Sequence, residues 1–201
     1  ELCSLKPKED KLTFSVVFDF NNKNELIKFW AGRTVINSDK RLSYKEAQYI
    51  ISEKENIIPK NISLNNKEKK VNKKIKNTIL VLNDLAKELR KRREKNGSIF
   101  FNKKEVRFVL NEEKNPTHTF IKQSTESNQL VEEFMLLANK KVAEIFSNKT
   151  KSQGIYRVHD YPDEEKLSSI EKIIKKLGFN QKFYNSKEIH KNINKVLLLT
   201  K

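Results

Sequence analysis

The 201-residue chain predicts an α+β fold, mainly antiparallel strands packed with several amphipathic helices. Three observations predict it. Residues 12–20, LTFSVVFDF, put Leu12, Phe14, Val16, Phe18 and Phe20 on alternate positions, the period of a strand with one buried face. Residues 130–146, LVEEFMLLANKKVAEIF, advance about 100° per residue around a helix, which lines up Val131, Phe134, Ala138, Val142 and Ile145. No internal repeat and no domain-sized linker interrupts the chain, so these elements belong to one mixed unit.

After the first strand, NNKN at 21–24 turns the chain, and ELIKFWAGRTVI at 25–36 supplies an antiparallel partner. In RLSYKEAQYII, Ser43 and Glu46 have capping-box spacing, so a helix starts at Tyr44 with Tyr44, Ala47 and Ile51 as its apolar face. Residues 54–70 carry a proline, many polar residues and little periodicity, and are expected to be a loop or insertion. A long helix follows, with Val71, Ile75, Ile79, Leu82, Leu85, Ala86 and Leu89 on its stripe. RKRREK at 90–95 complements its dipole and Asn96-Gly97 stops it. SIFF, EVRFVL and THTFIKQ read as short strands, with a turn around Asn115 and Pro116. The glutamate helix comes next, then IYRVHD at 155–160 as a buried strand or its entry. An amphipathic helix over 163–179 is closed by Gly178, and SKEIHKNINKVLLLTK ends the chain as a helix.

Composition narrows the partners. Lys and Arg number 42 against 26 Asp and Glu, a net charge of +16, which points to a polyanion and first to nucleic acid. The surplus is mostly lysine interspersed with asparagine, a mixture that AT-rich coding also produces. A single cysteine, Cys3, leaves no disulfide partner within the chain and no cysteine-based zinc site; it reads as a small packed side chain in a cytoplasmic protein. The apolar runs are far shorter than the roughly 20 residues that span a bilayer. The opening ELCSLKPKED lacks an initiator Met and reads as the middle of a longer chain.

Reaction centres are harder to find. His118, His159 and His190 lie on different elements without metal-ligand spacing, and no metal ligand is assigned. His159-Asp160 lacks a nucleophile in a strained elbow and reads as a polar pair. Only four glycines occur, too few and too scattered for a phosphate-cradling loop. DEEK at 163–166 reads as a helix first turn. On the 130–146 wheel Glu132 falls in a polar strip with apolar neighbours on both sides, whereas Glu133 falls near Lys140 and Gln129, facing solvent. An enclosed carboxylate needs a partner, so Glu132 is either a paired structural acid or part of a site.

Five ordered blocks, ELCSLKPKEDKLTFSVVF, KRLSYKEAQ, LAKELRKRREKNGSIFFNKKEVRFVL, LVEEFMLLANKKVAEI and YRVHDYPDEEKL, resemble the catalytic (RNB) domain of the ribonuclease II and ribonuclease R family. Bacterial ribonuclease R is the nearest in pattern. The resemblance covers residues 1–53, 77–148 and 154–178, and implies an exoribonuclease that degrades single-stranded RNA from its 3′ end, processively, releasing nucleoside 5′-monophosphates by Mg²⁺-assisted hydrolysis. It also implies that Tyr44 and Glu132 contact ribose near the scissile end and that Phe101 stacks on the terminal base. Arg90, Arg92 and Arg93 are candidate phosphate contacts by charge, although a dipole-complementing helix end accounts for them equally. The family's metal-holding aspartates precede the first block and its serine-proline-arginine motif follows the last. The chain therefore reads as a partial RNB domain over 1–201 without catalytic residues or metal ligands of its own, and inactive in isolation. The alternative is a non-catalytic RNA-binding or scaffold protein that has kept the fold.

Overall fold

A computed structural model of the chain describes residues 3–99, 105–148, 154–180, 182–183 and 189–199. In order the elements are β1 (Asp10–Phe20), β2 (Leu26–Asn37), α1 (Tyr44–Glu53), β3 (Ile57–Ile58), β4 (Lys69–Lys70), α2 (Lys73–Lys95), β5 (Glu105–Leu110), β6 (Pro116–Lys122), α3 (Glu126–Asn148), α4 (Glu164–Lys176) and α5 (Ile189–Leu199). Among the described residues the strands form three two-stranded antiparallel sheets. The chain divides into two compact units, residues 1–89 with 124–154, and residues 90–123 with 155–201.

In the first unit β1 and β2 pair from Asp10 opposite Asn37 to Phe20 opposite Leu26. Their turn is held by the Asn21 side chain, whose carbonyl accepts the N–H groups of Lys23 and Glu25, both at 2.9 Å. The alternating face is only partly covered: Val16, Phe18 and Phe20 are half-buried, but Leu12 is 88% and Phe14 71% exposed. The expectation of one buried face thus holds for half the strand, because alternation states which residues share a face and not what packs on it. On the opposite face the hydroxyls of Thr13, Ser15 and Thr34 form a triangle with sides of 2.7, 2.6 and 3.2 Å.

Helix α1 starts where the capping box puts it. Ser43 Oγ accepts the Glu46 N–H at 3.2 Å, and the Glu46 carboxylate accepts the Ser43 N–H at 2.7 Å. The buried residues are Glu46, Ile50 and Ile51, so the face differs from the expected Tyr44, Ala47 and Ile51; Tyr44 is exposed. Ile50, Ile58 and Val71 form the centre of the core, with Leu42, Tyr49, Ile62, Ile75 and Ile79 packed around them. Residues 54–70 are largely irregular, closed by the two-residue β3–β4 ladder and anchored in that core by Ile58.

Helix α2 ends as its sequence indicates. Gly97 takes φ +98°, its N–H reaches the Glu94 carbonyl at 3.0 Å, and the Ser98 N–H reaches Arg93 at 3.1 Å. The strand expected at SIFF is not present at Ser98 and Ile99; Phe100 and Phe101 lie outside the described residues.

In the second unit β5 and β6 pair across a turn in which the Asn111 side chain accepts the Asn115 N–H at 2.8 Å. Asp163 caps α4 by accepting the N–H groups of Glu165 and Lys166, and Gly178 at φ +88° closes it. Phe183 is fully buried, and its N–H donates to Glu171 at 3.1 Å. Helix α5 docks through Asn194, which donates to the Ser98 carbonyl at 2.9 Å. Residues 155–160 are neither strand nor buried; Ile155 and Val158 are exposed. A short apolar run becomes a strand only if another strand offers it a ladder, and among the described residues none pairs with this one.

Candidate functional site

Helices α1 and α3 pack together in the first unit, and beside their junction lies a cleft of about 830 Å³. Its rim carries Lys40, Arg41, Tyr44 and Lys69, and its floor Leu42, Ile51, Ile79, Leu82 and Leu130. Tyr44, the first residue of α1, is 52% exposed, so it is not a core residue of its helix and its ring is open to a ligand.

The carboxylate of Glu46 forms one wall. It is 1% exposed and accepts from the Lys69 ammonium at 2.9 Å, the Leu64 N–H at 3.3 Å and Ser63 Oγ at 3.5 Å, besides its bond to Ser43. Burial alone would push its pKa up. The Ser43 N–H, the Lys69 ammonium and the Leu64 N–H outweigh burial and hold the carboxyl below its ordinary value. Lys69 also donates to the Arg41 carbonyl at 3.0 Å, so the 54–70 segment is fastened to both the helix and the loop before it.

The first turn of α3 is held from two sides. The Glu126 carboxylate accepts from Lys87 and from the buried amide of Asn83, each at 3.0 Å. Hydrogen bonding to Lys87, opposed by partial burial and aided by Asn83, lowers its pKa. Ser127, 3% exposed, donates through Oγ to the Tyr44 carbonyl and through its N–H to the Gln48 side chain, both at 3.0 Å. Three-residue spacing near 125–128 signals a helix start, but that the acceptor for the Ser127 N–H comes from a different helix is not visible in sequence.

Further along α3 the expected roles of the two glutamates are reversed. Glu133 is 3% exposed, while Glu132 is exposed. Half-buried Leu130, Phe134, Leu137, Ala138 and Lys141 mark the packed face, and Val131, Met135 and Leu136 are exposed. Phe134, Ala138, Val142 and Ile145 of the expected stripe are half-buried, but the packed face extends from them towards Leu130 and Leu137, which carries Glu133 inward and leaves Glu132 outward. Lys141 contributes to it by standing 5.3 Å from the Phe29 ring centre. Neither glutamate is without a partner. Glu132 is not part of the cleft that Tyr44 borders, although its neighbour Val131 is.

Arg90, Arg92 and Arg93, on the last turns of α2, are half-buried and already engaged with other groups. Phe101 lies outside the described residues. Cys3, expected to be packed, is exposed, since the segment before β1 lies at the surface. His159 and Asp160, read as a polar pair, are exposed and no hydrogen bond joins them to another described residue. No group of three or more His, Cys, Asp or Glu suited to a metal ion occurs among the described residues, and no described helix is long and apolar enough to cross a membrane.

Residues 1–200 match the RNB domain family. DIS3-like exonuclease 2 of Xenopus tropicalis is 33% identical over 195 residues, 96% of this chain and 23% of that protein. The inactive exonuclease DIS3L2 of Arabidopsis thaliana is 32% identical over 195 residues, 96% of this chain and 18% of that protein. The RNase R of Mycoplasma genitalium, solved in complex with ribose methylated single-stranded RNA, superposes with a TM-score of 0.81 at 22% identity, covering 100% of this chain and 31% of that one. The chain thus spans about a fifth of the curated relatives it matches.

Proposed function

Because the chain belongs to the RNB domain family, matched over residues 1–200, we infer that it is a segment of a cytoplasmic, processive 3′-to-5′ exoribonuclease that hydrolyses single-stranded RNA to nucleoside 5′-monophosphates. The family match carries this reading, and the charge of +16 agrees with a polyanionic substrate. When bound, Mg²⁺ would stabilise charge on the phosphodiester under attack. The described residues offer no cluster that fits such an ion, and its ligands are assigned to other parts of the protein.

What this segment contributes is the path of the RNA strand. Tyr44 and Glu132 select ribose, since the 2′-hydroxyl is the group by which a protein distinguishes RNA from DNA. Their support is that both side chains are exposed on helices that pack together. Phe101 stacks on the terminal base, and Arg90, Arg92 and Arg93 contribute positive charge along the backbone. The cations Lys40 and Arg41, which line the cleft, add to that field beside Tyr44.

A second reading is a binding protein that retains the fold without the chemistry; the Arabidopsis relative called inactive favours it. The two separate on a 5′-labelled single strand incubated with the complete protein and Mg²⁺. The exoribonuclease shortens it stepwise from the 3′ end and liberates mononucleotides, whereas retention of the strand at full length while bound establishes the second reading.

A further inference from the structure

Helix N-termini leave backbone N–H groups without intrahelical acceptors, and a local side chain usually satisfies them. In α3 the local part is supplied by Thr125 and Asn128: the Asn128 side chain accepts from the Thr125 N–H at 3.2 Å and from its hydroxyl at 2.8 Å. The N–H of Ser127 is satisfied differently, by the Gln48 carbonyl oxygen, which belongs to α1 and is 79 residues away in sequence. The Ser127 hydroxyl completes a second link at the Tyr44 carbonyl, 83 residues away. Gln48 is itself oriented by donating to Ser52 at 2.9 Å. Two part-buried hydrogen bonds therefore join the first turn of α3 to the first five residues of α1. Both start from Ser127, one ending at the Tyr44 backbone and the other at the Gln48 side chain, and Glu132 stands five residues beyond Ser127, about 7.5 Å further along the axis of α3.

We propose that Ser127 and Gln48 are positioning residues for sugar selection, fixing Tyr44 on α1 relative to Glu132 on α3. This rests on the reading of Tyr44 and Glu132 as ribose contacts. A selection made by groups on two helices is only as sharp as the register between those helices, because a hydrogen bond weakens steeply with small errors in distance and angle. The Tyr44 carbonyl is the atom held, so loss of the Ser127 hydroxyl frees the turn that carries the tyrosine ring without touching the ring. Loss of the Gln48 acceptor instead loosens the start of α3. Both losses weaken one register, so their effects are shared rather than summed.

The test uses the complete protein and two matched strands, one all ribose and one with a single deoxyribose near the 3′ end, and reads the ratio of kcat/KM between them. Ser127→Ala and Gln48→Ala each lower this ratio by about fivefold, the order of one ordinary hydrogen bond, with the loss falling mainly on the all-ribose strand. Gln48→Glu, which keeps the acceptor, retains the ratio. Gln48→Ala also serves if Ser127→Ala does not fold. Equal loss on both strands in both alanine variants would mark a purely structural role and overturn the proposal. Tyr44→Ala and Glu132→Ala run in parallel: a collapsed ratio there with an unchanged one in the alanine variants refutes the positioning role alone, and an unchanged ratio in all of them refutes the ribose reading together with it.

Discussion

Glu46 and the pair Glu132–Glu133 show how far single residues can be read. Glu46 was legible as a capping acid, since the box is local and three residues long. Its second role, as acceptor for Lys69 from 23 residues away, was not, because only the folded loop brings that lysine in. The carboxyl is held below its ordinary pKa, so it contributes stability above about pH 4.3 and loses that contribution as the pH falls through the lowered value. Glu46→Gln is therefore expected to weaken local opening free energies in α1 and the 63–69 segment at neutral pH. The gap from wild type should close as the pH falls through that lowered value, where protonated Glu46 resembles Gln. Hydrogen exchange compared between the two proteins at each pH checks it, and a gap that persists unchanged into acid would contradict it. Glu132 lies on the exposed side of α3. A hydrogen bond to an ionised acceptor is worth roughly 1.5 to 3 kcal/mol, about a ten- to hundredfold preference. Glu132→Ala and Tyr44→Ala in the complete protein should each reduce the preference for ribose within that range, and the double variant by less than their product; strictly multiplicative losses would show two separate contacts.

Among the elements, those defined by local chemistry matched their sequence signals. The Ser43 cap and the two glycine stops lie where predicted, since each is fixed within about one helical turn, while Asp163, read as part of the first turn of α4, is its cap. What local chemistry could not supply was the direction each helix faces: α3 packs against α1, and the packed side carries Glu133 rather than Glu132. Residues 155–160 failed as a strand for a related reason, the want of a ladder. The two glycine stops offer a comparison within one unit. Both have positive φ, but a Cβ at Gly97 would lie 2.8 Å from the His190 ring on α5, whereas at Gly178 it would meet nothing within 4 Å. Gly178→Ala should cost only the backbone strain, about 1 to 2 kcal/mol. Gly97→Ala should cost more and raise exchange along α5 as well, with His190→Ala in the same protein recovering part of the excess. Equal costs at the two sites would show that the imidazole yields freely.

At the scale of the whole chain, exposed apolar side chains such as Leu12, Phe14, Val106, Phe108 and Ile121 accompany a span of only about a fifth of the relatives' length. The purified 201-residue chain is expected to release no nucleotides from RNA with Mg²⁺ present, since its described residues hold no fitting carboxylate cluster. Mg²⁺-stimulated release from a sample free of contaminating nuclease would refute this. The family was legible because its blocks are contiguous in sequence, whereas the division into two units depends on contacts between distant segments and left no trace in composition. The fastening of the 54–70 segment has a practical consequence. It is tied down at Ile58, Ser63 and Lys69, while Lys67 between the last two is exposed and Asn65 faces the cleft. With Cys3, the chain's sole thiol, exchanged for serine, a cysteine in place of Asn65, which is exposed and lines the same cleft as Tyr44, would accept an environment-sensitive dye without disturbing the core. Strand entry could then be followed optically in real time, one encounter after another, before any bond in the RNA is cut.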